Sequence, residues 1–564
     1  MPEEKCPDPN EEFDAVVVGS GFGGSVTAYR LAAAGLRVCL FERGRAYPPG
    51  SFARTPAASS LNVWDPSEGL HGLFDLWSFR WTEALVAAGL GGGSLIYANV
   101  LIRMHPNWFY SRIPGQAAKP WPITYADLDP YYRKVETMLK PRRYPNNYVA
   151  VTDKTRQFRR AAREADYKWY RPELAITFGK NPEIPEQFDD GSENLHGVPR
   201  LACRRTGQCD VGCNNGSKNT LDLTYLSNID PRYGRIFIDC EVKTFRRIGK
   251  YWQVGYVLHK PPKERRPRAV KPLIRQVRAR ALILAAGTFG TNFLLMRNRT
   301  YLPAISDCLG HGFSGNGDFL GLLTHAEEVL DASNGPVITS TIRRPDWADD
   351  HVGQGPPDAP LGHYVQDAGY PNAVEWFSEL TPPTGLVRRG ASLAVARARM
   401  ALTGTSVANV SKKVAVLLDD GRQSSRIMPM LGIGRDAPDS VLSLHHGFLD
   451  LEQGHGSDEY VRQVRETFKQ IAKGMKARYR DYMSKTLSRF ITVHPLGGVA
   501  MATNPQNGVV DSWGRVFGYE NEHLYVADGS VMPGPIGPNP AFTIAALADR
   551  FSERLANELA NTSP

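Results

Sequence analysis

The segment ITVHPLGGVA (491–500) carries one histidine, His494, between an apolar strand-like run and a proline-glycine turn. An imidazole titrates near neutrality and can take a proton from a reacting hydroxyl, although a histidine in apolar company is also an ordinary core residue. A second candidate lies in LYVADGSVMPGPIGPNPAFTIAALADR (524–550), where Asn539 and Pro540 open the last amphipathic helix. Asn539 reads either as the helix N-cap or as a polar group held where the helix dipole is positive and stabilises a developing anion. Asp528, after a short apolar strand in the same stretch, can accept a bond from a polyol hydroxyl. Three cysteines, Cys203, Cys209 and Cys213 in CRRTGQCDVGCNNGSKNTLD, follow no common zinc or iron–sulfur spacing, so no metal site is expected.

Such groups gain a use beside a bound cofactor, and the opening of the chain provides a place for one. FDAVVVGSGFGGSVTAYRLAAAGLRVCLFERG (13–44) reads as a buried strand (13–18), a glycine turn, a helix (about 24–34) closed by Gly35, and a second strand (37–42). Gly19, Gly21 and Gly24 form the G-x-G-x-x-G pattern that brings a pyrophosphate onto a helix N-terminus, and Glu42 stands where a carboxylate accepts bonds from a ribose diol. An acidic residue there disfavours a ribose 2′-phosphate. The stretch GLGGGSLIYANV (89–100) is no second fingerprint; its glycines let backbone lie against a flat or charged ligand. One dinucleotide, FAD, is therefore expected, and not an NADPH-to-flavin relay.

With 564 residues, 42% apolar and 22% charged, the chain has material for two globular domains. Its 67 basic against 58 acidic residues give +9, a thin excess that would assist at most a transient contact with an anionic membrane surface. The densest basic run (260–281) lacks aromatic interleaving and reads as a solvated hairpin tip, so no nucleic-acid partner is expected. No signal peptide or membrane-spanning run is legible, and seven cysteines suit a reducing compartment, so a cytoplasmic location is expected. Residues 234–287 hold three strand-like runs expected to form a small antiparallel meander, and 323–484 is a mixed block with proline-rich loops.

The glycine opening with Glu42, GLGGGSLIYANV, CRRTGQCDVGCNNGSKNTLD, HPLGG and ADGSVMPGPIGPNPAFTIAALADR stand in the order found in the glucose–methanol–choline (GMC) oxidoreductases. Over residues 13 to about 555 the chain resembles the cholesterol oxidase branch of that family. The resemblance implies an α/β fold: a Rossmann-like FAD-binding domain (1–105, 231–322, 485–564) with a discontinuous α+β substrate-binding domain built on an antiparallel sheet (106–230, 323–484). It implies non-covalent FAD, since residues 89–100 contain no histidine for covalent attachment. The cofactor set expected is Gly19, Gly21, Phe22, Gly23, Gly24, Glu42, Gly92, Gly93, Ser94, Asn99, Val242, Gly287, Asp528, Gly529, Asn539, Pro540 and Phe542.

His494 and Asn539 fall on the family's catalytic positions. Glu375 in YPNAVEWFSEL (370–380) matches the segment that supplies a carboxylate base in steroid-oxidising members, against the plainer reading of a surface glutamate. The chain departs from the branch at Tyr97, where Asn is usual, and at Val499, where Cys is common. The expected substrate is a 3β-hydroxysteroid or another bulky apolar alcohol, with molecular oxygen or a different electron acceptor taking the electrons and hydrogen peroxide as product in the oxygen case. The alternatives are a sugar, glycoside or long-chain alcohol on the same fold, or a flavoprotein without redox turnover; oligomeric state is not indicated.

Overall fold

A computed structural model of the chain describes residues 6–8, 10–55, 58–59, 61–183, 186–188, 194–259, 273–351, 359–370, 424–481 and 490–561. Strand β1 (Glu12–Val18), helix α1 (Phe22–Ala33) and strand β2 (Val38–Phe41) form the opening βαβ unit, with Val16 opposite Cys39 and Val18 opposite Phe41 in parallel register. β2 is buried throughout, which is why it reads as an unbroken apolar run and not as an alternation. α1 lies between the sheet and the final helix, Ala541–Asn561, so its buried positions extend beyond a single stripe. Gly23 and Gly24 permit that packing. A Cβ at Gly23 would stand 1.5 Å from the Ala527 carbonyl oxygen, and one at Gly24 would stand 1.8 Å from that of Gly19.

The sheet that grows from β1 has seven strands, in the order Gly234–Phe237, β2, β1, Ile274–Leu284, Tyr251–Leu258, Cys240–Ile248, with Leu524–Val526 also pairing Ile274–Leu284 in parallel. The run 234–245, expected as one strand of a meander, is two strands. Left-handed backbone at Asp239 (φ 56°) breaks it. Gly234–Phe237 joins β2 in parallel, while Cys240–Ile248 forms an antiparallel hairpin with Tyr251–Leu258. The basic run at 260–281 connects that hairpin to the central strand, and most of it lies outside the described residues.

A second sheet, antiparallel throughout, has the order Trp169–Tyr170, Thr341–Arg344, His363–Asp367, Met428–Gly434, Phe319–Thr324, Arg478–Asp481. Helices Asp153–Glu164 and Asp458–Gly474 pack on it through Phe158, Val464, Phe468 and Ile471 against Phe319, Val365 and Met430. The i, i+4, i+7 spacing of Val464, Phe468 and Ile471 makes one apolar face, and each such side chain is worth roughly 1.5–3 kcal/mol when buried. Among the described residues no helix is long and apolar enough to cross a membrane. Residues from both sheets wall the cavity described next.

Candidate active site

A cavity of about 1340 Å³ runs from the glycine turn after β1 to His494. Drug-sized ligands need roughly 300–1,000 Å³, so a long ligand and a substrate can share this space. Gly19, Gly21, Phe22, Gly23 and Glu42 line one end, with Val242 and Gly287 beside them. A Cβ added at Gly21, Gly93 or Gly287 would meet no protein atom within 4 Å, so backbone there faces open space. Glu42 is buried, and its carboxylate accepts Ser20 N–H (3.0 Å), Ser20 Oγ–H (2.5 Å) and Gly44 N–H (2.9 Å). Burial raises its pKa against the pull of those bonds. A carboxylate has roughly four acceptor sites, which leaves one for a ribose hydroxyl. Arg43 is held by Asp75 (2.5 Å) over the Trp64 ring and is already paired, which removes the cation a ribose 2′-phosphate would use.

The 89–100 loop is clamped by Lys218, whose buried ammonium donates to the carbonyls of Leu95, Tyr97 and Cys209 and lies over the Tyr97 ring. Gly92, Gly93 and Asn99 face the cavity. Asn99 is fully buried at φ 68°, and neither its Oδ1 nor its Nδ2 has a partner. An orphaned buried amide costs about 1–3 kcal/mol. It suits a ligand edge that alternates carbonyl and N–H, as the pyrimidine edge of an isoalloxazine does. Open glycine backbone, Glu42 and the Asn99 amide together fit FAD.

Three members of the expected cofactor set do not border the cavity. Gly24 is spent on the packing against Gly19. Ser94 is buried and braces its own loop, donating from Oγ to the Gly91 carbonyl (2.7 Å) and accepting Leu221 N–H (3.0 Å). Phe542, the second residue of the final helix, is buried and packs on Tyr132 with ring centroids 4.7 Å apart. Asp528 lines the cavity with Gly529, but its carboxylate accepts four bonds, from Gly287 N–H, Thr291 Oγ–H, Ser530 N–H and Ser530 Oγ–H. It ties the start of helix Gly287–Arg297 to the turn at 529–531, and a ribityl hydroxyl would have to share those lone pairs.

At the other end His494 follows the short strand Phe490–Thr492, which pairs in parallel with Thr82–Ala87. Its Nδ1 lies 2.6 Å from Asp318 Oδ1, while Asp318 Oδ2 accepts Val493 N–H (2.7 Å), His494 N–H (3.1 Å) and Thr492 Oγ–H (2.9 Å). Asp318 thus holds both the ring and the backbone that carries it. With the proton kept on Nδ1, Nε2 is left as the proton acceptor. Asn539 is nearly buried at the cavity wall, and its Oδ1 accepts Nε2–H of Gln366 (2.9 Å). It is not the helix cap: Ile544 N–H donates to the Pro540 carbonyl, which makes Pro540 the residue that closes the first turn. Asn316 fixes the approach, accepting Ile536 and Gly537 N–H at Oδ1 and donating from Nδ2 to the Pro538 carbonyl.

Sequence reasoning passed over three of these groups: Asp318, Gln366 and Asp210. Asp210 borders the same cavity, and among the described residues its carboxylate accepts no hydrogen bond. Burial pushes its pKa up to about 6, opposed by the charges of Lys218, Lys154 and His494. Glu375 lies outside the described residues. All seven cysteines are free, and among the described residues no cluster of three or more possible ligands could hold a metal ion.

Residues 437–548 match the family described as GMC oxidoreductase, and residues 17–56 match the NAD(P)-binding Rossmann-like domain. The chain is 30% identical over 568 residues to a cholesterol oxidase of Mycobacterium tuberculosis, covering 97% of this chain and 92% of that protein. A cholesterol oxidase of Acinetobacter baumannii is 27% identical over 564 residues, covering 96% and 94%. Among solved structures, pyridoxine 4-oxidase from Mesorbium loti superposes with a TM-score of 0.57 at 15% identity, over 96% of this chain and 98% of that one, a likeness of fold.

Proposed function

Because the chain belongs to the GMC oxidoreductase family, whose members are FAD-dependent enzymes acting on alcohols, we propose that it oxidises a bulky apolar secondary alcohol, best matched by a 3β-hydroxysteroid, with molecular oxygen as acceptor and hydrogen peroxide as product. The observation that carries the substrate reading is the wall contributed by the second sheet and its loops. Val337, Ile338, Ala368, Leu320 and Leu431 are all apolar. A sugar site would set hydroxyl-matching polar side chains there, because a pocket earns discrimination between polar substrates only by hydrogen bonding them.

FAD, when bound, supplies the two-electron acceptor for the hydride that leaves the alcohol carbon. His494 Nε2 takes the hydroxyl proton. Asp318 keeps Nδ1 protonated and balances the charge the ring gains. Asn539 holds the hydroxyl oxygen from its amide, and the positive end of the final helix, bordered by Pro540, Ala541 and Ile544, favours negative charge at the same place. For a 5-ene sterol, Glu375 is proposed to carry a proton from C4 to C6 after oxidation, on the strength of its segment's resemblance to the steroid-oxidising branch.

One feature favours a polyhydroxylated or amine-bearing substrate instead, the unbonded Asp210 carboxylate at the cavity wall. An anaerobic bleaching screen separates the two. Sterols that reduce the flavin faster than sugars and long-chain alcohols support the proposal. Sugars or aminosugars that bleach it while sterols do not overturn the sterol reading, and a flavin that no alcohol bleaches points to a non-redox protein.

A further inference from the structure

Gln366 stands behind Asn539 and has no role in the chemistry described so far. It lies fully buried in the strand His363–Asp367, between Thr341 on one neighbouring strand and Leu431 on the other. The next residue, Asp367, pins that strand further by accepting bonds from Thr339 N–H (2.8 Å), Ser340 N–H (2.6 Å) and the Thr339 hydroxyl. On the other side Asn316 pins the loop before Asn539. With both backbones held, the remaining freedom at Asn539 is which end of its amide faces the reacting hydroxyl. A carbonyl oxygen there would repel the charge that builds on the alcohol oxygen as its proton leaves, whereas an N–H would stabilise it.

We propose that Gln366 is a positioning residue that sets this choice, its Nε2–H engaging Asn539 Oδ1 so that the Asn539 NH₂ faces the substrate. The arrangement leaves Gln366 Oε1 without a partner. Turning both amides over would instead leave the Gln366 NH₂ orphaned, and protein interiors tolerate a lone carbonyl better than a lone N–H. The inference rests on the reading of Asn539 given under the proposed function.

The test replaces Gln366 with a group whose donor can be titrated away. In Gln366→Glu the protonated acid can donate to Asn539 as the amide does. The ionised acid can only accept, which draws the Asn539 NH₂ away from the substrate. Burial raises the pKa of such a glutamate, so the change falls in an accessible range. Two quantities are followed against pH in the FAD-loaded protein: the flavin midpoint potential, by dithionite titration with no alcohol present, and the anaerobic reduction rate with the alcohol that bleaches the wild type fastest.

Gln366→Glu is expected to match wild type at low pH. At high pH it should show a lowered potential and reduction slowed by about tenfold or more, the worth of one orienting hydrogen bond. Gln366→Met, of similar volume, should be slowed about tenfold with no added pH dependence. In Gln366→Glu/Asn539→Ala the pH dependence should vanish, because the effect passes through Asn539. A dependence that persists in the double variant is a direct effect of charge and overturns the inference, as do Gln366→Met and Gln366→Glu that match wild type at every pH. An Asn539→Ala protein with wild-type rate and potential would remove the underlying role of Asn539 as well.

Discussion

At the residue scale the proposed chemistry depends on carboxylates and amides that hold a few atoms still. Asp318 does so for His494, and the pairing spans 176 positions of sequence, so no local pattern could reveal it. It sits in the glycine-rich stretch GHGFSGNGDFLG, whose glycines speak of turns and whose lone aspartate speaks of nothing in particular. His494 and Asn539, which the structure places on the cavity wall, stand out as candidates because their own neighbours carry the signal, a proline-glycine turn in one case and a helix start in the other. Gln366 looked like any polar residue in a strand, and Asp210 was masked by the cysteines around it, which drew the metal question instead. Asp210 also carries a prediction. Its folded pKa, pushed up to about 6, lies above the usual carboxylate value, so the folded protein binds more protons than the unfolded chain between about pH 4 and pH 6. Stability therefore falls as pH rises through that window. Asp210→Asn should stabilise the fold at about pH 7, by an unfolding free energy on the order of 2–3 kcal/mol seen as a higher melting temperature, and the gain should vanish near pH 4 where both side chains are neutral. Equal gains at both pH values would show that the benefit is packing and not relief of a buried charge.

At the scale of elements, legibility followed locality. The β1–α1–β2 unit and the final helix could be read within a few residues of their ends, because an apolar run, a glycine turn and an amphipathic period are each written in consecutive sequence. The break at Asp239 was missed because a single residue in left-handed backbone leaves the strand-like composition on both sides intact. The six-stranded sheet was expected only in outline. Its order is set by pairing between distant segments, and its edge strand Trp169–Tyr170 is two residues long. His363 tests how that sheet is tied to its covering helix. Buried in the sheet, it donates from Nδ1 to the Leu361 carbonyl (2.8 Å) and meets Thr467 Oγ on helix Asp458–Gly474 with Nε2 (2.9 Å). Burial lowers its pKa to about 4. The unfolded chain then binds more protons between about pH 4 and 6.5, so this contribution is lost as pH falls through that range, by an amount on the order of 3 kcal/mol. Thermal unfolding at about pH 7 and pH 5 should show a smaller acid-induced drop for His363→Gln than for wild type. An unchanged drop would place the acid sensitivity elsewhere.

At the scale of the whole molecule, two sheets drawn from interleaved parts of the chain meet around one long cavity, with open glycine backbone at one end and the His494–Asp318 pair at the other. Glu42, the open glycines and the orphaned Asn99 amide account for the first end without a covalent link. The purified protein should accordingly be yellow and should release its FAD into the supernatant on acid precipitation; flavin retained in the pellet would contradict non-covalent binding. Ligand binding to the folded state alone also raises stability by mass action, so added FAD should raise the melting temperature of flavin-depleted protein. The most direct measurement is anaerobic stopped-flow reduction of the bound flavin by a 5-ene 3β-hydroxysterol, in wild type and in His494→Ala, with flavin content and melting temperature recorded for both. Wild type should be bleached, and His494→Ala should retain FAD and stability while its reduction slows by about two to four orders of magnitude, the worth of positioned proton transfer. Equal reduction rates in the two proteins, or a wild-type flavin that no sterol bleaches, would contradict the proposed function.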